Sequence, residues 1–123
     1  MPSFLRDASV VEISNGGSTT IPNGQIVAAA DGRAAIVEGL AGIKPGRVGE
    51  ARVRGIVSCA KASATDLSTA GTRVQIHTTT QEVTAKASGA ADANNILLGR
   101  TVRAAGTGVL TVEVDLNGTG TTP

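Results

Sequence analysis

Gly108-Val109-Leu110-Thr111-Val112-Glu113-Val114-Asp115-Leu116-Asn117-Gly118 is the stretch on which the reading of this chain turns. Leu110, Val112, Val114 and Leu116 fall on one side of an extended backbone, and Thr111, Glu113 and Asp115 on the other. Strict alternation of this kind predicts a strand with one dry face and one wet face. Asn117-Gly118 ends it, because both residues tolerate positive φ.

Working outward, the other segments read as shorter partners of that strand. Ile96 to Ala104 is the strand before it, turned into it by Ala105-Gly106-Thr107-Gly108. Val83, Ala85 and Ala87 alternate with Thr84 and Lys86. Thr72 to His77 alternates with Val74 and Ile76 inward. Ser88 to Asn95, small and polar, reads as a flexible connection. Glu50 to Val57 reads as one further strand, with Ala51, Val53, Gly55 and Val57 on one face and Gly55 as a bulge or a close backbone approach.

Nearer the N-terminus, Asp31-Gly32-Arg33 joins Gln25–Ala30 to Ala34–Glu38, a hairpin signal. Ile21-Pro22-Asn23-Gly24 is a turn. Val10, Val11 and Ile13 form a short strand that Asn15-Gly16-Gly17 closes, and Lys44 to Gly49 is a loop rich in turn formers. Thr65 is placed to cap one short helical turn, Asp66 to Ala70, ended by Gly71. The sum is an all-β chain. It predicts a compact β-barrel or sandwich of about seven to nine short strands, with at most one short helical turn.

Composition narrows this further. A chain of 123 residues is one domain, which buries roughly 65% of its unfolded surface. With one Phe and no Trp or Tyr, the core must be Val, Ile, Leu and Ala. Aromatic side chains normally supply the largest burials, so oligomerisation is expected as an added source of burial. Sixteen Gly fit tight turns and fit long helices badly. The residues divide into an N-terminal arm (1–8), a barrel-like domain (9–118) and a flexible tail (119–123).

Charge is balanced at +1, with acids and bases interspersed. Nucleic-acid binding wants a basic face and often aromatic platforms, so no nucleic-acid partner is expected. Cys59 stands alone, which excludes an internal disulfide. No apolar run approaches the ~18–20 residues of a membrane span, and the first residues lack the apolar centre of a signal peptide.

No catalytic pattern emerges. His77 lies on the polar face of a strand, without a nucleophile in reach by sequence. Cys59 reads as a small buried hydrophobe. In Gly42 to Gly49 the spacing of a phosphate-binding loop is missing, and Pro45 removes an amide donor. Glu113 and Asp115 sit two apart on one wet strand face, as in any half-buried strand. No metal, cofactor or small-molecule substrate is predicted. The densest basic run, Lys44, Arg47, Arg52 and Arg54, is either a solubilising face interleaved with Glu38 and Glu50 or a contact patch for an acidic protein surface. Phe4 and Leu5, followed by Arg6, belong either to a frayed terminus or to an arm that docks on a neighbour.

The order of motifs resembles one family. They run from Ile21-Pro22-Asn23-Gly24-Gln25-Ile26-Val27 and Gly39-Leu40-Ala41-Gly42-Ile43 through Lys44-Pro45-Gly46-Arg47-Val48-Gly49-Glu50-Ala51-Arg52-Val53-Arg54-Gly55-Ile56-Val57. They continue in Thr69-Ala70-Gly71-Thr72-Arg73-Val74, Leu98-Gly99-Arg100-Thr101-Val102 and Val112 to Gly118. Together, from about Val10 to Gly118, the chain resembles the capsid decoration, or head cement, proteins of tailed phages. One departure is the lack of an aromatic near Arg73 to His77, which bears on packing there.

The resemblance implies a β-barrel-like virion protein on the outer capsid surface, commonly a homotrimer, whose partner is the major capsid protein. It would cement neighbouring subunits against the pressure of packaged DNA. Phe4, Leu5, Arg6, Arg47, Arg52 and Arg54 are the candidate contacts with capsid or a neighbouring protomer. The rival readings are a β-sandwich adhesion or carbohydrate-binding module on a virion, which the shortage of aromatics disfavours, and another small head or tail assembly protein.

Overall fold

A computed structural model describes residues 9–118. They hold nine strands and no helix, in two antiparallel sheets that curl against each other as a compact sandwich or half-barrel. The strands are β1 (Val10–Ser14), β2 (Ile26–Ala28), β3 (Ala34–Val37), β4 (Val48–Arg52), β5 (Ile56–Ala60), β6 (Arg73–His77), β7 (Val83–Ala85), β8 (Asn95–Thr101) and β9 (Thr111–Leu116). One sheet runs β1-β4-β3-β2 and the other β5-β9-β8-β6-β7. All-β architecture, the strand number and the Asp31-Gly32 hairpin are as the sequence predicts.

The strand that opened the reading lies inside the larger sheet, paired to β5 and β8. Val112, Val114 and Leu116 are buried, each worth about 1.5–3 kcal/mol of transfer free energy at full burial. Leu110 is not with them. It is 63% exposed because the backbone is still turning there: Gly108 takes φ +92°, and the Leu110 carbonyl accepts from the Lys61 amide. The alternation therefore begins one residue after Leu110.

Three further expectations are corrected. Glu50 to Val57 is not one strand. β4 belongs to the small sheet and β5 to the large one, and the chain crosses between them at Val53-Arg54-Gly55. Gly55 has φ +120°, a conformation that side chains resist. The helical turn at Asp66 to Ala70 is absent. Leu67 is instead extended and exchanges two backbone hydrogen bonds with Ala105, at 2.9 and 2.8 Å, which buries its side chain. Asp66 Oδ1 accepts from the Ser68 amide, a local bond that competes with helix. Ser88 to Asn95, expected to be flexible, is tied down: buried Gln75 donates to Asp92 Oδ2 and accepts from the Asp92 amide, both at 2.9 Å.

The hairpin of β2 and β3 is the wall between two cores. Period-two alternation sends Ile26, Ala34 and Ile36 into the large cluster with Leu67, Val74, Ile76, Leu98 and Val114. Val27, Ala35 and Val37 go to the other side, with Ile13, Ile43, Ala51 and Val53. Both faces being dry, the hairpin reads as a nearly continuous apolar run.

Two side-chain amides fasten this wall to the large sheet. Gln81, at φ +57°, accepts from the Ile26 amide at 2.8 Å and donates to the Ile26 carbonyl at 3.2 Å. Asn117, at φ +56°, accepts from the Ala34 amide at 3.0 Å and donates to the Ala34 and Val53 carbonyls at 2.9 and 2.8 Å. β4 pairs with β3 through Arg52 and Ile36 and then leaves the sheet. Asn117 supplies the donor and acceptor that the next residues of β4 would have given to Ala34. Buried backbone groups need such partners.

Candidate interaction surface

Catalytic groups do not converge among the described residues. His77 is half-buried and serves the turn after β6, its Nδ1 accepting from the Thr79 and Thr80 amides at 3.1 and 3.2 Å. Burial pushes the Cys59 thiol up to about 11, so it is protonated and unreactive near neutral pH. No group of three or more His, Cys, Asp or Glu side chains comes together among the described residues.

The basic residues that sequence proximity singles out are not brought together. Arg47 is exposed in the turn before β4, and Arg52 ends that strand, about 17 Å further along an extended backbone. Arg52 Nε meets Glu38 Oε2 at 3.2 Å, and both side chains are largely exposed. Arg54 lies in the crossing between the sheets, beside a hollow lined also by Arg33 and Asp115. Phe4, Leu5 and Arg6 lie outside the described residues.

A different set does converge. An open groove of about 560 Å³ runs between the tip of the β2–β3 hairpin and strands β6 and β8. Arg33, Arg73 and Arg100 line it, with Leu97, Gly99 and Asn117. Asp31 is tied to Arg33, Nε to Oδ2 at 2.7 Å. Its carboxyl is held below the usual range, first by the Arg33 amide and then by the Arg33 side chain. Arg73 and Arg100 face each other in the β6–β8 ladder.

Gly99 shapes the groove. At φ +149° it lets β8 pass so close to β9 that a Cβ would overlap the Asp115 carbonyl oxygen and lie 2.9 Å from the Asn117 amide nitrogen. The ladder between β6 and β8 shifts register between Val74 and Gln75, a bulge that bends the sheet locally. The sequence reading missed Arg33, Arg73 and Arg100 as a group, because only the strand register puts them together.

Large apolar side chains are also exposed away from the groove. Leu40 is 99% exposed at the tip of a braced turn. The Gly42 amide donates to the Gly39 carbonyl at 2.9 Å, and Asn23 Nδ2 donates to the Glu38 and Gly39 carbonyls at 2.7 and 3.0 Å. Val48 and Ile56 are 60% and 64% exposed on strands of different sheets.

The distinctive residues of this small β-protein lie on open faces, and its titratable groups serve turns and strand pairs. Residues 5–116 match the model of the phage cement protein family, and the chain belongs to that family. It is a structural protein of the phage capsid. No curated protein and no solved structure matches the chain.

Proposed function

We propose that this protein binds the outer surface of an icosahedral phage capsid and cements neighbouring major capsid protein subunits, stabilising the shell against the pressure of packaged DNA. The observation that carries this reading is the match to the phage cement family across residues 5–116.

The physical chemistry of the chain supports it. An aromatic-poor core leaves burial to be gained in assembly. Exposed Leu40, Val48 and Ile56 are apolar surface of the kind a partner covers. A homotrimer at a three-fold position would engage several subunits at once, so that modest single contacts multiply through local concentration. In this reading the arm with Phe4, Leu5 and Arg6 reaches capsid or a neighbouring protomer, and the exposed Arg47, Arg52 and Arg54 add contacts at the rim.

The test is reconstitution. Purified protein mixed with expanded shells that lack it is expected to bind in a fixed copy number per capsomer and to raise the temperature at which the shells rupture. Shells that take up no protein, or that take it up without added stability, would remove the proposal. Deletion of residues 1–8 is expected to lower occupancy, and full occupancy without them would remove the arm from the contact set.

A further inference from the structure

Arg73 and Arg100 are direct register partners in the antiparallel ladder between β6 and β8, so their side chains leave the same sheet face next to each other. Like charges placed directly opposite across two strands destabilise the pair. Among the described residues no acid forms an ion pair with either arginine. Arg73 donates from Nη1 to the Lys86 carbonyl at 3.2 Å and from Nη2 to the Gly89 carbonyl at 2.8 Å. Arg100 donates from Nη1 to the Gly71 carbonyl at 3.1 Å. Carbonyl oxygens orient a guanidinium but leave its charge uncompensated.

The acids beside the groove pair with neither of these arginines among the described residues. Asp31 is tied to Arg33. Asp115 is the partner of Arg100 on β9; its carboxylate lies toward Gly118, which also lines the groove, and no ion pair joins it to Arg100 among the described residues. Two oriented, partly buried arginines therefore border one open groove, with Leu97 adding apolar surface to its lining. Guanidinium forks match carboxylates in geometry as well as charge.

We infer that this groove receives an acidic segment of the shell protein, with a carboxylate bridged by Arg73 and Arg100 and a neighbouring apolar side chain on Leu97. The inference rests on the cement reading for the identity of the partner, and on the arginine pair for its chemistry. A nucleic-acid strand is the lesser fit, because the groove offers no aromatic platform on which a base stacks.

Fluorescence anisotropy tests it with three labelled probes: a peptide of alternating glutamate and leucine, a matched lysine–leucine peptide, and oligothymidylate. The acidic peptide is expected to bind the full chain, more weakly as salt rises. Arg100→Gln is expected to cost about tenfold or more in affinity, the scale of a charged hydrogen bond, with Arg100→Lys losing less. Arg103→Gln, on an exposed arginine outside the groove, is expected to bind as the parent does. An unchanged thermal midpoint for Arg100→Gln would separate lost binding from lost folding. Equal affinity in Arg100→Gln, or equal or tighter binding of the lysine peptide or of oligothymidylate, would overturn the inference.

Reconstitution with shells separates the two proposals. If the parent binds shells and Arg100→Gln binds them equally well, the groove is not the seat and the cement reading stands. If the parent binds no shell, the cement reading fails, and the peptide measurements alone decide whether the groove takes an acidic chain.

Discussion

β4 and β8 carry similar words in the sequence, Val48-Gly49-Glu50 and Leu98-Gly99-Arg100, and the fold uses them in opposite ways. Each is an interior strand with a glycine preceding a charged residue. In β4 the missing Cβ makes room for a side chain: a Cβ on Gly49 would lie 2.5 Å from Ile43 Cγ1 and 2.9 Å from its Cδ1. In β8 the missing Cβ makes room for backbone, the Asp115 carbonyl and the Asn117 amide. Both strands set like charges opposite each other, and what differs is where those charges lie. β4 sets Glu50 opposite Glu12 and ends at Arg52 with an exposed partner. β8 sets Arg100 opposite Arg73 above a groove. A glycine that accommodates a side chain adjusts the packing of a core, whereas one that accommodates backbone determines where a surface lies.

The largest effect is expected at Gly99. Gly99→Ala must place a Cβ against two backbone groups and hold φ near +149°, so strain and overlap add to about 4 kcal/mol. Urea unfolding, read by far-ultraviolet circular dichroism, measures this. The same variant should also weaken binding of the acidic peptide, since the strand pair beneath Arg100 must shift. A loss under ~1 kcal/mol would mean that β8 and β9 can separate without cost and that the contrast with β4 is false.

Gly49→Ala is expected to cost less, about 1–2 kcal/mol, the range of overpacking that a side chain can relieve. The relief has a named source. Ile43→Val removes Cδ1, one of the two nearest atoms, so the double variant should be more stable than the sum of the single changes implies. A double-mutant cycle in urea measures the coupling. No coupling would show that the strain falls on the backbone of β4, as in β8, and the distinction between the two glycines would collapse.

Much of this architecture is legible in the chain. The alternation of Val112, Val114 and Leu116, the Asp31-Gly32 hairpin and the inward Val74 and Ile76 follow from period-two patterning, which depends only on neighbours. What was not legible depends on partners distant in sequence. Alternation runs on through Arg52, Val53 and Arg54, so nothing local marks the passage from one sheet to the other except Gly55, which a bulge explains equally well. Leu67 stays extended because Ala105 offers it two hydrogen bonds. Asn117 reads as a turn residue, and it is one, but its amide also completes the ladder at Ala34. The arginine pair is the extreme case. Lys44 to Arg54 is dense in sequence and scattered in space, whereas Arg73 and Arg100 meet only through the β6–β8 register. For surface sites built on sheets, local charge density is a poor guide and register is the informative quantity.

The smallest expected effect concerns the support of that register from the side. Asp92 receives Lys86 Nζ at 2.8 Å and Gln75 Nε2 at 2.9 Å. The hydrogen bonds from Lys86 and then Gln75, with the charge of Lys86, hold its carboxyl below the ordinary value of 3.8. A carboxyl whose folded pKa lies below its unfolded one binds fewer protons folded than unfolded. Its contribution is therefore complete above the unfolded value near 3.8 and is lost as pH falls through the lower folded value. The carboxylate is exposed, so solvent screens the pair and the effect is small. The stability advantage of the parent over Asp92→Asn should hold constant from neutral pH down to about 4 and shrink below it. By contrast Arg52→Ala, on β4, should change stability by less than ~0.5 kcal/mol at neutral pH, in keeping with an exposed pair. Thermal midpoints across an acid series measure both. An Asp92→Asn difference that stays constant through pH 3 would show that its carboxylate does not support β6, and that β4 and β6 carry their exposed charges on equal terms.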